Sequence, residues 1–108
     1  MAVRVQKAAA FRIDEIYRYT LKAWGKKQAD VYITRMFAAF ELIATEGVAS
    51  RPIPAAFEVD GFVFRFEKHF VYWRYLSNGD IGIVTVLHER MHQFDRFRAE
   101  AGIPGSGA

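Results

Sequence analysis

Residues His69 to His88 read HFVYWRYLSNGDIGIVTVLH. Two apolar runs, His69 to Leu76 and Ile81 to Leu87, are rich in β-branched and aromatic residues, and Ser77-Asn78-Gly79-Asp80 joins them. Asn-Gly is the strongest short hairpin signal, because a type I′ turn needs positive φ at both central residues. With Asn78 and Gly79 as the two loop residues, Ser77 faces Asp80, Trp73 faces Val84, Val71 faces Val86 and His69 faces His88. Side chains directly across a strand pair share a face. The register therefore predicts two histidines side by side at the far end of the hairpin. Arg74 pairs with Ile83 and points to the opposite face, with Phe70 and Tyr72. A slip of one residue separates the histidines.

The rest of the chain supplies what this hairpin packs against. Phe62 to Glu67, after Asp60-Gly61, reads as a further strand, and Val3 to Lys7 as an added edge strand. In the first half the apolar period changes to 3.6. Ile13, Ile16, Tyr17, Thr20, Leu21 and Trp24 form one stripe on a helix from about Ala8 to Trp24. Gly25 accepts positive φ and ends it. Ala29, Ile33, Met36, Phe37, Phe40 and Ile43 mark a second helix, from about Lys27 to Thr45. The very short connection makes the two an antiparallel hairpin. Gly47 to Ala56, with Pro52 and Pro54, reads as a loop. Met91, Phe94 and Phe97 fall at roughly helical spacing, so a short helix should fold back on the sheet. Both faces of the strand hairpin are apolar. One packs on the helices, and the other needs the C-terminal segment or a partner to cover it. The expected fold is α+β: an antiparallel-rich sheet of three to four strands against an N-terminal helix hairpin, with a short C-terminal helix. Residues 1–101 form one domain and 102–108 a flexible tail.

Composition narrows the classes. The chain has 108 residues, enough for one core that buries about two-thirds of the unfolded surface. At 52% apolar, with 10 Phe, 5 Tyr and 2 Trp, general disorder is excluded. There is no cysteine, which excludes disulfides and thiolate metal sites and is compatible with a reducing cytoplasm. Met1 to Lys7 lacks the apolar stretch of a signal peptide. No run approaches the roughly 20 apolar residues of a membrane span. A net charge of +3 and a pI of about 9.4 weakly favour an acidic partner.

The segment Leu87-His88-Glu89-Arg90-Met91-His92 delivers ionisable groups where the last strand ends. The His69–His88 pair suits acid–base chemistry near neutral pH, with Arg65, Lys68 and Arg74 in the same sheet region. RNA cleavage needs a base, an acid and cations for the phosphate, and all three residue types are present. The plainer reading is favoured: one histidine caps strand-end carbonyls and the rest are solvated, because no residue pattern fixes a catalytic geometry. A metal site built on His88, His92 and His69 requires a helix beginning at His88 and lacks acidic ligands beyond Glu89. No metal or other cofactor is expected. The aromatics Phe62, Phe64, Phe66, Phe70, Tyr72, Trp73 and Tyr75 are more often packing than a base-stacking platform. Lys26 and Lys27 open the second helix, where its dipole disfavours cations, and read as a solvated turn.

Four motifs in order resemble one family. Asp14-Glu15-Ile16-Tyr17-Arg18-Tyr19-Thr20 resembles "DL-x-x-I-x-x-YT". Trp24-Gly25-Lys26-Lys27-Gln28-Ala29 with Tyr32 resembles "WG-x-x-QA-x-x-Y". His69-Phe70-Val71-Tyr72-Trp73-Arg74 resembles "H-V-I-F-Y-R", and Leu87-His88-Glu89-Arg90-Met91 resembles "LH-x-RM". Together they cover about residues 8–98 and are similar to the RelE/ParE superfamily, ParE-like branch. The chain departs at Phe62, where an Arg often follows the Gly, at His92, where an Asp usually follows Met91, and in the Gly47 to Ala56 loop.

The resemblance implies a cytoplasmic toxin of a type II toxin–antitoxin module that inhibits DNA gyrase, stabilises plasmids and is not an enzyme. It implies a cognate antitoxin bound directly in a hetero-oligomer. In that reading the target contacts are Arg65, Lys68, Arg74, His88, Arg90 and His92. The antitoxin contacts are Ile16, Tyr17, Trp24, Phe37, Phe40 and Tyr72. The alternative is a RelE-like endonuclease acting on ribosome-bound mRNA, with His69, His88, Arg65 and Arg90 as its catalytic set. A third reading is a partner-binding domain without toxicity.

Overall fold

Gly25 lies alone between two helices, α1 (Lys7–Trp24) and α2 (Lys26–Ala44). Its φ of +91° is one that only glycine adopts cheaply, and its amide closes α1 on the Leu21 carbonyl at 3.0 Å. The Tyr17 hydroxyl donates to Asp30 at 2.7 Å and ties the two helices together. The computed structural model describes residues 2–45 and 50–100. The expected tail at 102–108 and the first part of the Gly47 to Ala56 loop lie outside the described residues.

The strands are β1 (Val3–Val5), β2 (Arg51–Pro52), β3 (Phe62–Phe66), β4 (His69–Tyr75) and β5 (Ile81–His88). Among the described residues they form one sheet of order β1-β5-β4-β3-β2. β1 runs parallel to β5 and the other neighbours are antiparallel. The sheet thus has five strands where three to four were expected. The additional one, β2, is an extended piece within the Gly47 to Ala56 loop, and pairs Arg51 with Val63 and Pro52 with Phe62. Two residues show no period, and proline lacks the N–H of an interior strand, so it is tolerated only at an edge such as this.

The central hairpin differs from the expected register near its turn. Positive φ occurs at Gly79 (+88°) but not at Asn78, so the turn is not type I′. The Gly79 amide donates to the Leu76 carbonyl at 2.9 Å, and the Leu76 amide donates to the Asp80 carbonyl at 2.7 Å. The loop is therefore three residues long, Ser77 to Gly79, with glycine in the left-handed position. Tyr75 pairs with Ile81, Arg74 with Gly82 and Trp73 with Ile83. The expected Trp73–Val84, Arg74–Ile83 and Ser77–Asp80 pairs are each off by one. An irregularity between Tyr72 and Trp73 leaves Val84 unpaired and restores the register, so that Tyr72 pairs with Thr85, Val71 with Val86 and His69 with His88.

Each sheet face has its own core. On the helix face, Ala9, Ile13, Met36, Phe40 and Ile43 pack against Phe64, Val71, Trp73, Ile81, Ile83 and Val86. On the other face, Val63, Tyr72, Val84 and Leu87 meet Ile53, Phe57 and Phe97. Phe57 belongs to a short 3-10 turn (Ala55–Phe57), and Phe97 to the C-terminal helix α3 (Gln93–Glu100). The chain's own C-terminal segment thus covers the second face, one of the two covers that the sequence leaves open. Ion pairs hold α3 in place: Arg98 to Glu58 at 2.9 Å, and Arg12 of α1 to Glu100 at 2.9 Å. Glu100 also accepts from the Thr85 hydroxyl at 3.0 Å.

Candidate functional site

The hairpin register brings His69 and His88 together where β4 begins and β5 ends. Their rings lie 5.2 Å apart, edge to face at 89°. His69 is 9% exposed, while His88 is half-buried. The reverse turn between β3 and β4 carries Glu67 at positive φ and Lys68, whose carbonyl accepts from the Glu89 amide at 2.8 Å. That bond draws the start of the segment after β5 against the turn.

A tyrosine from α2 engages the buried histidine. The Tyr32 hydroxyl and His69 Nδ1 are 2.9 Å apart. Burial, and next the nearby Glu67 charge, push Tyr32 up to about 12, so it keeps its proton at neutral pH. Burial, and next the neighbouring His88, push His69 down to about 4. With both groups uncharged the bond engages Nδ1 in either tautomer: the phenol donates to a bare Nδ1, or an Nδ1–H donates to the phenol oxygen. Nδ1 is occupied either way.

The surrounding cations are largely engaged. Arg65 donates to the Glu89 carboxylate at 2.7 Å and to the Glu67 carbonyl at 2.8 Å, and lies over the Phe70 ring at 5.5 Å. Arg35 pairs with Glu67 at 2.7 Å and lies over Phe66. His88 Nδ1 accepts from the Arg90 amide at 3.1 Å, and the His88 carbonyl accepts from the Gln93 amide group at 2.8 Å. His88 and Gln93 thus turn the chain from β5 into α3. Exposed His92 pairs with Asp95 at 3.0 Å. Lys68 and Arg90 are exposed and have no side-chain partner among the described residues.

The expected target contacts do not all share one surface. Arg65, Lys68, His88 and Arg90 gather at this end of the sheet, and His92 follows just before α3. Arg74 lies five residues along β4 from His69, about 16 Å away at strand rise, beside the opposite turn. It is not part of the cluster. The expected antitoxin contacts divide too. Trp24 is 71% exposed and Phe37 41%, while Ile16 and Tyr17 are half-buried. Phe40 and Tyr72 are buried, on opposite sheet faces, and present no surface in this chain. Phe40 lies near the centre of the α2 apolar stripe. Tyr72 is sealed by Phe57 and Phe97, with its hydroxyl donated to Gln93 at 2.8 Å.

Tyr32, Arg35 and Glu67 belong to the site but were not among its expected residues. The available signal was Tyr32, flanking the Ala29–Ile33–Met36 stripe: a buried tyrosine hydroxyl needs a partner. A metal site on His88 and His92 would require a helix beginning at His88, and the helix begins instead at Gln93. Among the described residues, no three His, Cys, Asp or Glu side chains are placed to hold a metal ion, and no helix is long and apolar enough to cross a membrane.

Comparison with known proteins now adds to this geometry. The family described as "ParE toxin of type II toxin-antitoxin system, parDE" matches residues 3–93. A search of curated protein sequences found no significant match. Among solved structures, a chain titled "Chromosomal ParDE TA system from P. aeruginosa" superposes with a TM-score of 0.63 at 16% identity, covering 82% of this chain and 95% of that one. At that identity the likeness speaks to the fold alone. The family match spans nearly the whole described chain, from β1 to the first residue of α3, and the chain belongs to the ParE toxin family of type II toxin–antitoxin systems.

Proposed function

We propose that this protein works in the cytoplasm as a toxin that binds and inhibits DNA gyrase, and that a cognate antitoxin neutralises it in a hetero-oligomer. A module of this kind on a plasmid would stabilise it. Family membership supports the toxin reading. The observation that carries the choice of binding over cleavage is the state of the sheet-end cluster. Its buried histidine is neutral and its Nδ1 is held by Tyr32, while Arg65 is committed to Glu89 and Glu67. A nuclease site needs a free base and a cation fixed on one phosphate. Here the fixed cation, Arg65, is committed to carboxylate and carbonyl oxygens, and the cations without side-chain partners among the described residues, Lys68 and Arg90, are fixed by no side-chain contact. A contact surface needs only exposed groups. Lys68 and Arg90 supply unpaired charge to that surface, and Arg65, His88 and His92 frame it.

The antitoxin is assigned to the outer side of the helix pair. Trp24 and Phe37 are the anchors there, with Tyr17 and Ile16 at the edge. Leu21, Val31 and Leu42 are further exposed apolar residues on these two helices. A second reading, cleavage of ribosome-bound mRNA, is favoured by one observation, the edge-to-face approach of His69 and His88. Purified protein assayed in parallel against gyrase supercoiling and ribosome-bound mRNA separates the two. Gyrase inhibition with intact mRNA is the expected result. Loss of mRNA with normal supercoiling, abolished by His88→Ala, transfers the function to the second reading.

A further inference from the structure

α2 presents one regular strip to solvent. Lys27, Val31, Thr34, Ala38 and Glu41 recur at alternating steps of four and three residues, and all are exposed. Ala38 stands nine residues after buried Ala29, and Lys27 nine before buried Met36. Nine residues are two and a half turns, so the strip points away from the core. Leu42 stands eleven residues, about three turns, after Val31 and shares its line; each is 46% exposed. The Thr34 hydroxyl donates to the Asp30 carbonyl at 2.7 Å, so its polar group is satisfied within the helix. Steps of four and three are those of the seam between two helices packed at a shallow angle, and the small side chains here allow close approach.

The two ends of the strip are charged against their own helix. Lys27 lies in the first turn of α2, where the dipole disfavours a cation, and Glu41 in the last turn, where it disfavours an anion. The first turn holds no acidic residue and the last turn no basic one. Lys26 is paired with Asp30 at 2.6 Å. Lys27 and Glu41 have no ion pair or side-chain hydrogen bond among the described residues. They are fourteen residues apart, about 21 Å along the axis, with Thr34 midway. A second α2 laid antiparallel, about a two-fold axis at Thr34, sets Lys27 of each copy against Glu41 of the other. A parallel arrangement sets like charges together. The strip is complementary to itself in one orientation.

We propose that two copies of this chain associate through α2, antiparallel about Thr34, in a two-fold dimer. A two-fold interface requires a surface that matches itself, because each residue meets its symmetry mate's complement, and this strip does so in both spacing and charge. Two ion pairs that the single chain cannot make form at once. Exposed pairs of this kind set orientation more than strength, so the association is weak and reversible. An antitoxin on the outer side of the helix pair would have to part the two copies. The inference does not rest on the gyrase or antitoxin readings, because its test contains this chain alone.

The test is sedimentation equilibrium of the full chain at low salt, from about 10 to 500 μM. A monomer–dimer equilibrium is expected. Lys27→Glu and Glu41→Lys each set like charges together twice per dimer, and each should weaken association about ten-fold or more. The double variant restores both pairs with their signs exchanged, and should return to within about three-fold of the wild type. Both substitutions suit the helix dipole at exposed positions, so the urea midpoint should not fall, and lost association is then not lost folding. A chain that stays monomeric at about 500 μM overturns the proposal and leaves the strip to a different partner. Single variants that associate as the wild type does also overturn it. So does a double variant that keeps the urea midpoint and recovers no association.

Discussion

Lowering the pH should destabilise this protein through one residue, His69. Its folded-state pKa is down at about 4 against 6.5 for a free histidine, first because of burial and then because of His88. Between those values the unfolded chain binds a proton that the folded chain refuses. Stability is therefore complete above about pH 6.5, falls as the pH drops toward 4, and loses nothing further from this group below that. At pH 4.5 the loss works out at about 2.5 kcal/mol, a large share of a small domain's total. Other groups facing His69 titrate differently. Glu89 opposes the shift, and Tyr32 keeps its proton throughout the range. Carboxylates elsewhere also protonate in this window, so the measurement is a difference. Urea midpoints are compared from pH 7.5 to 4.5 for the wild type and His69→Asn, whose amide oxygen accepts from Tyr32 near the Nδ1 position. The wild type should lose about 2 kcal/mol more than the variant over that range. NMR titration of the His69 ring in the wild type gives an independent reading, with no charge change above about pH 5. Superimposable pH profiles, or a ring that titrates near 6.5, refute the argument that burial and His88 hold His69 neutral.

Three substitutions test the rest of the frame. Phe97→Ala empties the centre of the second core, where the ring is fully buried 4.8 Å from Tyr72, and should cost about 3–5 kcal/mol in urea unfolding. Glu100→Ala removes the partner of Thr85 and one of the two carboxylates on Arg12; a loss of about 2 kcal/mol is expected, with faster amide exchange in α3 than in α1 or α2. Trp24→Ala should leave stability within about 0.5 kcal/mol because the ring is exposed, yet weaken antitoxin capture by ten-fold or more, as measured by calorimetry with the co-encoded antitoxin. Full antitoxin affinity in that variant moves the antitoxin off the helix pair.

Much of this architecture was legible because it rests on local signals. The 3.6-residue stripes and Gly25 mark the helix hairpin, and runs of β-branched and aromatic residues mark β3, β4 and β5. The His69–His88 pairing shows how a correct contact can follow from a partly wrong register. The loop is one residue longer than Asn78-Gly79 suggests, and the irregularity at Val84 shifts the strands back before the histidines are reached. A turn residue's φ depends on its whole loop, and a bulge has no dipeptide signature. Phe40 and Tyr72 were misplaced because periodicity identifies an apolar position without saying whether another element already covers it. The Tyr32–His69 and Arg12–Glu100 contacts join residues 37 and 88 positions apart. No local pattern encodes them, and they appear only when packing brings the elements together.

Gyrase supercoiling measured against increasing concentrations of the purified protein tests the central claim most directly. Inhibition by binding predicts activity that falls to a plateau at a fixed ratio of protein to gyrase, is restored by the antitoxin, and is weakened by charge removal at Lys68 and Arg90. Supercoiling that stays at its uninhibited rate with the protein in large excess contradicts it.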